Sequence, residues 1–154
     1  MGHISRTIHV EATPEQVFDL MTNPERLREW QVPAAEVKDI TGTPGTVGMG
    51  WTTASTFAGR KMENHMSVTA VERPRSFEVK GAGSGLSGTA TLRGRFEPAA
   101  GGTDITIENE YEMPLGFIGD AANKLFVEKS FAESWDKSLA KFKALVEAEA
   151  PAHV

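Results

Sequence analysis

The last forty residues constrain the fold most, because they predict a single long amphipathic helix. After Pro114, apolar residues recur every seven positions for some thirty residues, a spacing that keeps one face of a helix apolar. One row consists of Ile118, Leu125, Ala132, Leu139 and Val146, and the adjoining row of Ala121, Trp135, Phe142 and Glu149. Together the two rows form a seam wide enough to cover one face of a sheet. Residues 148–154 are expected to form a frayed tail after this helix.

One position interrupts this seam. Glu128 lies in the second row, midway between Ala121 and Trp135. A carboxylate within an apolar stripe indicates that the stripe faces a cavity there, where Glu128 would act as a general acid or base or bind a ligand hydroxyl. In the alternative interpretation the helix is slightly rotated, Lys124 pairs with Glu128 across one turn, and the carboxylate is solvated.

Length and charge limit the classes of partner. A chain of 154 residues predicts one domain over residues 1–154. Its 16 Lys and Arg against 21 Asp and Glu give a net charge of −5, which argues against nucleic acid or an anionic membrane as the main partner. No apolar run approaches the roughly 20 residues of a membrane span, and no signal-peptide core is present. We therefore predict a soluble, cytoplasmic protein with no membrane insertion.

Cysteine and histidine usage predicts neither a metal site nor a cofactor. Cysteine is absent, which excludes disulfides, thiolate ligands and a cysteine nucleophile. His3, His9, His65 and His153 are scattered without the spacing of metal ligands. By strand alternation His9 and His65 fall on outward faces, and no Ser-His-Asp arrangement can be argued from them.

The N-terminal region predicts a strand followed by two short helices. Apolar and polar residues alternate over residues 4–10, which is the period of a strand with one face inward. Thr13-Pro14-Glu15-Gln16 is a capping box with proline at the first helical position. Asn23-Pro24 repeats the start signal, and a second short helix is predicted to run toward Trp30.

From residue 36 to residue 113 the pattern predicts β-structure. We expect strands near residues 37–41, 49–57, 61–71, 76–80, 86–97 and 103–113, with short connections typical of an antiparallel meander. A turn over residues 99–102 would place Arg93 near Glu108 on a wet, charged face. The opposite face would set small residues against large ones, as in Ala90 against Tyr111, and is expected to be concave.

The glycine-rich connection over residues 81–85 invites a misleading comparison. Residues 83–88 form a G-x-G-x-x-G sequence, but it joins two predicted strands instead of opening a helix, so it does not indicate nucleotide binding. We expect this stretch to form a mobile lip over a cavity mouth.

Several segments carry a family resemblance: residues 8–18 (IHVEATPEQVF), Trp30 with Pro33, residues 71–75 (VERPR), and Phe96-Glu97-Pro98 running into Gly101-Gly102-Thr103. With them the chain resembles the START-like, Bet v 1-like (SRPBCC) superfamily, and within it the polyketide cyclase/dehydrase and lipid-transport group. The resemblance implies an α+β helix-grip fold, in which a curved seven-stranded antiparallel sheet wraps around the long C-terminal helix and two short helices follow the first strand. It also implies a largely apolar pocket between sheet and helix. These segments are caps, turns and core positions, so they specify the fold and leave function open.

Candidate pocket residues follow from the predicted inward faces. Polar side chains on otherwise apolar faces are Asn64, Asn109 and Tyr111, as expected where a pocket has few orienting hydrogen bonds. The apolar candidates are Trp30, Trp51, Met62, Met66, Ala90, Leu92, Phe131 and Trp135. Arg6 shares a strand face with Ile4 and Ile8. It either points inward and meets an anion, such as Glu128, another carboxylate or a ligand, or it extends to water.

Three functions remain open at this level. The first is a carrier or sensor that binds a hydrophobic or aromatic small molecule between the sheet and the C-terminal helix. The second is a polyketide cyclase/aromatase-like enzyme in which Glu128, Tyr111 or Arg6 transfers a proton. The third is a protein-interaction module using the charged end of the long helix, where Lys137, Lys141 and Lys143 meet Glu133, Glu147 and Glu149. The expected assembly is a monomer or a homodimer.

Overall fold

A computed structural model describes residues 2–32, 36–57, 60–83, 89–112 and 121–150, with the backbone alone at residues 55–57, 60, 62, 83 and 121–127. The elements in chain order are β1 (Gly2–Val10), α1 (Pro14–Met21), a 3₁₀ helix (Pro24–Glu29), β2 (Glu36–Thr41), β3 (Gly50–Phe57), β4 (Arg60–Glu72), β5 (Ser76–Gly83), β6 (Thr89–Ala99), β7 (Gly102–Tyr111) and α2 (Ala121–Glu149). The predicted α+β helix-grip order is confirmed.

The seven strands form one antiparallel sheet in the order β1-β7-β6-β5-β4-β3-β2. The strands from β2 to β7 therefore form a meander, and β1 lies at the edge of the sheet, where it pairs with β7 along its whole length. In the last hairpin Arg93 lies opposite Glu108 and Arg95 opposite Thr106, so the predicted register is confirmed. On that outward face the Arg93 guanidinium also donates to Glu78, at 2.8 Å.

Both short helices begin at the predicted caps. The Gln16 backbone N–H donates to the Thr13 hydroxyl at 3.2 Å, and the Thr13 N–H donates to the Gln16 side chain at 2.9 Å. Asn23 accepts a hydrogen bond from the Glu25 N–H at 3.1 Å. The second helix is a single 3₁₀ segment, a form that proteins use in short pieces.

The core lies between the sheet, α1, the 3₁₀ helix and the C-terminal half of α2. Phe142 is fully buried and meets Trp30 edge to face, with ring centroids 5.2 Å apart. Leu139 and Val146 are also buried, as the predicted seam requires, whereas Glu149 is exposed and accepts a hydrogen bond from Arg26 at 2.6 Å. Ile118 and the side chains of Ala121 and Leu125 lie outside the described residues.

Two predicted boundaries were wrong. β5 continues to Gly83, because Gly81 pairs with Met66 on one side and Ala90 on the other. Pairing on both sides thus overrides the weak strand preference of glycine. α2 continues to Glu149, so residues 148–149 are not part of a frayed tail.

Other predictions in these regions fall partly beyond the described residues. The G-x-G-x-x-G sequence lies between two neighbouring strands, β5 and β6, as predicted. Of the glycine-rich stretch expected to form a lip, residues 81–83 belong to β5 instead, and residues 84–88 lie outside the described residues. The predicted strand start at residues 86–88 and the strand end at residue 113 also lie outside them. Among the helices of the described residues, none is long and apolar enough to cross a membrane.

Candidate functional site

A continuous row of side chains crosses the concave face of the sheet from β1 to β3. Strand register aligns the row as Gly2, Tyr111, Ala90, Gly81, Met66 and Trp51. Gly2 lies at the sheet edge, the large side chains follow toward either end of the row, and two small residues, Ala90 and Gly81, lie at the centre. The adjoining row, toward the core, aligns Ile4, Asn109, Leu92, Val79 and Val68.

Part of this concave face keeps accessible surface. Ala90 and Leu92 are only half-buried, although they belong to β6, which has a strand on either side. On the helix, Glu128, Phe131 and the neighbouring Ala132 and Trp135 are also half-buried, whereas the later Leu139, Phe142 and Val146 are buried. α2 therefore packs tightly over one part of the concave face and leaves accessible surface over the other. We call this space the hollow, defined by Ala90, Leu92, Met66, Tyr111, Glu128 and Phe131.

The wall of the hollow nearest β1 is aromatic. Tyr111 stacks on Phe131 with ring centroids 4.4 Å apart and an interplanar angle of 28°. The Tyr111 ring also lies across Gly2, in the space that a side chain at position 2 would occupy. Glycine at that edge position thus lets the only tyrosine lean away from Ala90, which keeps accessible surface.

Glu128 acts electrostatically on this wall. Burial raises the pKa of the Tyr111 hydroxyl above its usual range, and the nearby Glu128 charge raises that pKa further. At neutral pH the phenol therefore stays protonated and is available as a hydrogen-bond donor. The structure brings Glu128, Tyr111 and Phe131 together, and the predicted alternative partner Lys124 has its side chain outside the described part of the chain.

The hollow borders two buried polar atoms without partners. Asn109, on the row beside Tyr111, is 5% exposed, and its Oδ1 has no hydrogen-bond partner among the described residues. The same holds for the indole N–H of Trp51, at the end of the Tyr111 row. An unpaired buried polar group costs about 1–3 kcal/mol, so both atoms are places where a ligand or water would stabilise the protein.

Arg6 bonds a carboxylate other than that of Glu128. Its Nε donates to Asp136 at 2.6 Å, and its Nη1 donates to the Ser5 carbonyl at 3.0 Å. The anion that Arg6 meets is therefore the carboxylate of Asp136, five residues after Phe131 on α2. With 37% of its side chain exposed, Arg6 lies at the rim and ties β1 to α2.

The remaining predicted residues are spread along the concave face. Met66 is half-buried, and its sulfur fills the space beside Gly81, 2.7 Å from where a Cβ would lie. Asn64, two residues before Met66 on β4 and on the same face, is half-buried. Trp135 packs against the core. The Met62 side chain lies outside the described residues.

The structure does not bring Trp30 to Tyr111. Trp30 packs on Phe142, which lies eleven residues after Phe131, or about 16 Å along the helix. Its indole therefore belongs to the tightly packed core at the other end of α2.

Sequence reasoning missed two residues on this face. Thr53 is buried opposite Asn64 and shares the inward face of β3 with Trp51, a position that strand alternation could have indicated. Gly81 was predicted to lie in a loop, and no local signal marks it as the centre of the row. Both positions depend on pairing between strands.

The outward face carries a groove of about 330 Å³ between β4 and β7, lined by Ala70, Ser76, Phe77, Glu78, Arg93, Gly94, Arg95, Thr106 and Glu108. Arg93 in this groove already bonds Glu78 and Glu110, so part of its charge is neutralised within the protein. Among the described residues, no cluster of three or more His, Cys, Asp or Glu side chains could hold a metal ion.

The charged end of α2 is also used within the molecule. Lys143 donates to the His9 carbonyl and to Glu147, both at 2.8 Å, and Glu147 accepts from the Glu11 N–H at 2.8 Å. Together with the Arg26 bond to Glu149, these contacts engage three of the six charges that suggested a partner-binding surface.

Comparisons with known proteins identify the family and the fold of this chain. The family model described as polyketide cyclase/dehydrase and lipid transport matches residues 1–147. No curated protein is similar enough in sequence to count as a relative.

Solved structures show the fold. Protein CV1439 from Chromobacterium violaceum superposes with a TM-score of 0.71 at 19% identity, over 96% of this chain and 99% of that protein. Ara h 8.0201 gives 0.71 at 13% identity, over 96% and 99%. DynU16, from the dynemicin biosynthetic locus, gives 0.65 at 16% identity, over 97% of this chain and 48% of its own. At these identities the likeness concerns architecture alone.

Proposed function

Because the chain belongs to the polyketide cyclase/dehydrase and lipid transport family, we propose that it binds a hydrophobic or aromatic small molecule in the hollow, as a carrier or sensor. The observation that carries the proposal is the accessible surface of Ala90 and Leu92 on the concave face of β6, beside Tyr111, which stacks on Phe131 of α2. Apolar walls with a few polar groups are the usual composition of small-molecule sites.

The test is to fill the hollow. N-phenyl-1-naphthylamine, a neutral dye that fluoresces in apolar surroundings, serves as the probe. Ala90→Phe places a ring at the centre of the row, between Tyr111 and Gly81, and should raise the dye's Kd at least tenfold. The matched control is Thr91→Phe, the next residue on the same strand, which faces the outward side and should leave Kd within twofold.

Both variants must first be shown to be folded by circular dichroism and thermal unfolding. If folded Ala90→Phe binds the dye as the parent does, binding occurs elsewhere and the proposal is wrong. If the parent does not bind the dye, the hollow does not accept a neutral aromatic compound of this size, and the proposal is also wrong.

A cyclase-like enzyme is the second candidate, and the effect of the Glu128 charge on the Tyr111 hydroxyl favours it. A protonated phenol can donate a hydrogen bond to a substrate carbonyl, while a carboxylate can accept a proton from the adjacent carbon. With a poly-β-ketone substrate, Glu128→Gln should then keep affinity and abolish turnover. A carrier would show no turnover in either form and a changed affinity in the variant.

A further inference from the structure

We propose that Asn109 is the specificity-determining residue of the hollow: its carboxamide oxygen accepts a hydrogen bond from the ligand, so the hollow prefers ring compounds that carry a hydroxyl donor. This inference rests on the proposed binding function and adds the chemical class of the ligand. It concerns the carbonyl oxygen of Asn109 alone and is independent of any reaction that follows binding.

The first argument is the direction in which Asn109 points. Buried and less buried residues alternate along β7, and Asn109 belongs with Ile107 and Tyr111 to the buried set on the concave side. Strand register places Asn109 directly opposite Leu92 on β6. The Cβ atoms of residues paired in this way lie about 4.5–5.5 Å apart. Because Leu92 lines the hollow, the Asn109 amide lies at its border.

The second argument is the unmet hydrogen-bonding capacity of this amide. Asn109 is 5% exposed, and its Oδ1 has no hydrogen-bond partner in the part of the chain that the structure describes. Its neighbour on β1 is Ile4, which is buried and has no donor in its side chain. The Tyr111 ring, two residues along β7, lies across Gly2 at the sheet edge. The carbonyl oxygen is therefore an acceptor held in apolar surroundings.

The third argument distinguishes a ligand from a water molecule. A buried water typically makes about three hydrogen bonds to protein groups. The side chains of Ile4, Ile107 and Leu92, which surround Asn109 along and across the strands, would give it none. A ring compound needs only one polar partner here, since its remaining surface packs against apolar side chains. The χ2 torsion of asparagine is soft, so the amide can turn toward Leu92 to receive the donor.

Three compounds with the same ring system test the inference, and equilibrium dialysis gives the Kd of each. 2-Naphthol carries a donor, 2-methoxynaphthalene carries an acceptor alone, and naphthalene carries neither. A pocket without a polar partner would favour naphthalene, because burying an unpaired hydroxyl is costly. The parent should instead bind 2-naphthol at least about fivefold more tightly than either of the other two compounds.

Asn109→Leu removes the amide and nearly keeps its shape. In this variant the preference for 2-naphthol should fall to about twofold or less. The urea midpoint of the ligand-free variant should rise, because an unpaired buried polar group has been removed. The matched control Thr91→Leu also replaces a polar side chain by leucine, but on the outward side of β6, and should keep the preference of the parent. Asn109→Val, which also removes the amide, serves if the leucine variant does not fold.

The outcomes separate the two proposals. If N-phenyl-1-naphthylamine binds, Ala90→Phe blocks it, and the parent does not prefer 2-naphthol, the role of Asn109 is overturned while the binding function stands. If the variants without the amide keep the preference of the parent, another group accepts the hydrogen bond and the role of Asn109 is again overturned. A lower urea midpoint in both of these variants would show that the amide is already paired in the free protein, which also overturns it. If the dye does not bind the parent, both proposals are wrong. The comparison of the three compounds needs only the parent protein, so it stands even if no variant at position 109 folds.

Discussion

The ring of Phe77 lies across Gly94, its partner on the neighbouring strand, and occupies the space that a side chain at position 94 would need. This close approach lets Phe77 stack on Phe96, with ring centroids 5.8 Å apart and an interplanar angle of 29°. Gly94→Ala should therefore lower the free energy of unfolding by about 1–3 kcal/mol, because the methyl group displaces a core ring. Urea unfolding measures the loss.

A double variant tests whether Phe77 is the reason that position 94 requires glycine. In Gly94→Ala combined with Phe77→Leu, the smaller side chain leaves room for the methyl group. The double variant should then lose less stability than the sum of the two single variants. Strict additivity would show that Phe77 is not what makes glycine necessary at position 94.

Tyr111 is the only tyrosine, so its titration can be followed directly by ultraviolet absorbance. Because burial and the Glu128 charge both raise its pKa, the phenol should titrate above its ordinary value of about 10. Glu128→Gln should lower that pKa only in part, since burial is the larger cause. Circular dichroism at each pH confirms that the folded state is being titrated, and an unchanged pKa in Glu128→Gln would contradict the placement of the carboxylate.

His9 should make stability depend on pH. Its Nδ1 lies 2.8 Å from Asp104 and its Nε2 lies 3.1 Å from Glu11. The hydrogen bond to Asp104 raises the pKa of His9 most, partial burial opposes the shift, and Glu11 adds to it. A raised folded-state pKa stabilises the protein fully below the unfolded value of about 6.5. That stabilisation is lost as the pH rises through the folded-state pKa.

The measurement for His9 is the urea midpoint across pH 6 to 8.5. The midpoint should fall over this range in the parent and fall less in His9→Gln, which cannot titrate. Glu147 on α2 also lies near His9, and because its pKa is lowered by the hydrogen bond from Lys143, it keeps its charge across this range. An identical fall in the parent and in His9→Gln would assign the pH dependence to other groups.

Arg6 should contribute little to binding or to stability. Its ion pair with Asp136 is partly exposed, with 37% and 56% of the two side chains accessible, and such pairs contribute about 0–1 kcal/mol. Arg6→Gln is expected to lower the free energy of unfolding by less than about 1 kcal/mol and to leave the Kd for N-phenyl-1-naphthylamine unchanged. A several-fold weaker Kd would place Arg6 in the ligand site.

Local signals explain why most of the fold could be predicted. The Thr13–Gln16 capping box and the period-two alternation of β1 each involve residues a few positions apart, and both formed as expected. The register of the last hairpin followed from the position of one turn, because a hairpin leaves no freedom once its turn is placed.

Predictions failed where distant pairing overrides local preference. Gly81 reads as a loop residue, yet strands on both sides and the sulfur of Met66 hold it in the middle of the sheet. The partner of Arg6 could not be predicted either, because Asp136 lies 130 positions away in the sequence and several carboxylates were available to Arg6.

The sequence by itself determined the order of the elements, the seam of the long helix and the anomalous carboxylate at position 128, because caps, turns and periodicity act over a few residues. Only the tertiary structure decided which part of α2 packs tightly, that Tyr111 meets Phe131, and that Ala90 lies beneath accessible space. These features depend on how the curvature of the sheet sets it against the helix. That geometry results from all the strand pairings together, so no single segment of the sequence determines it.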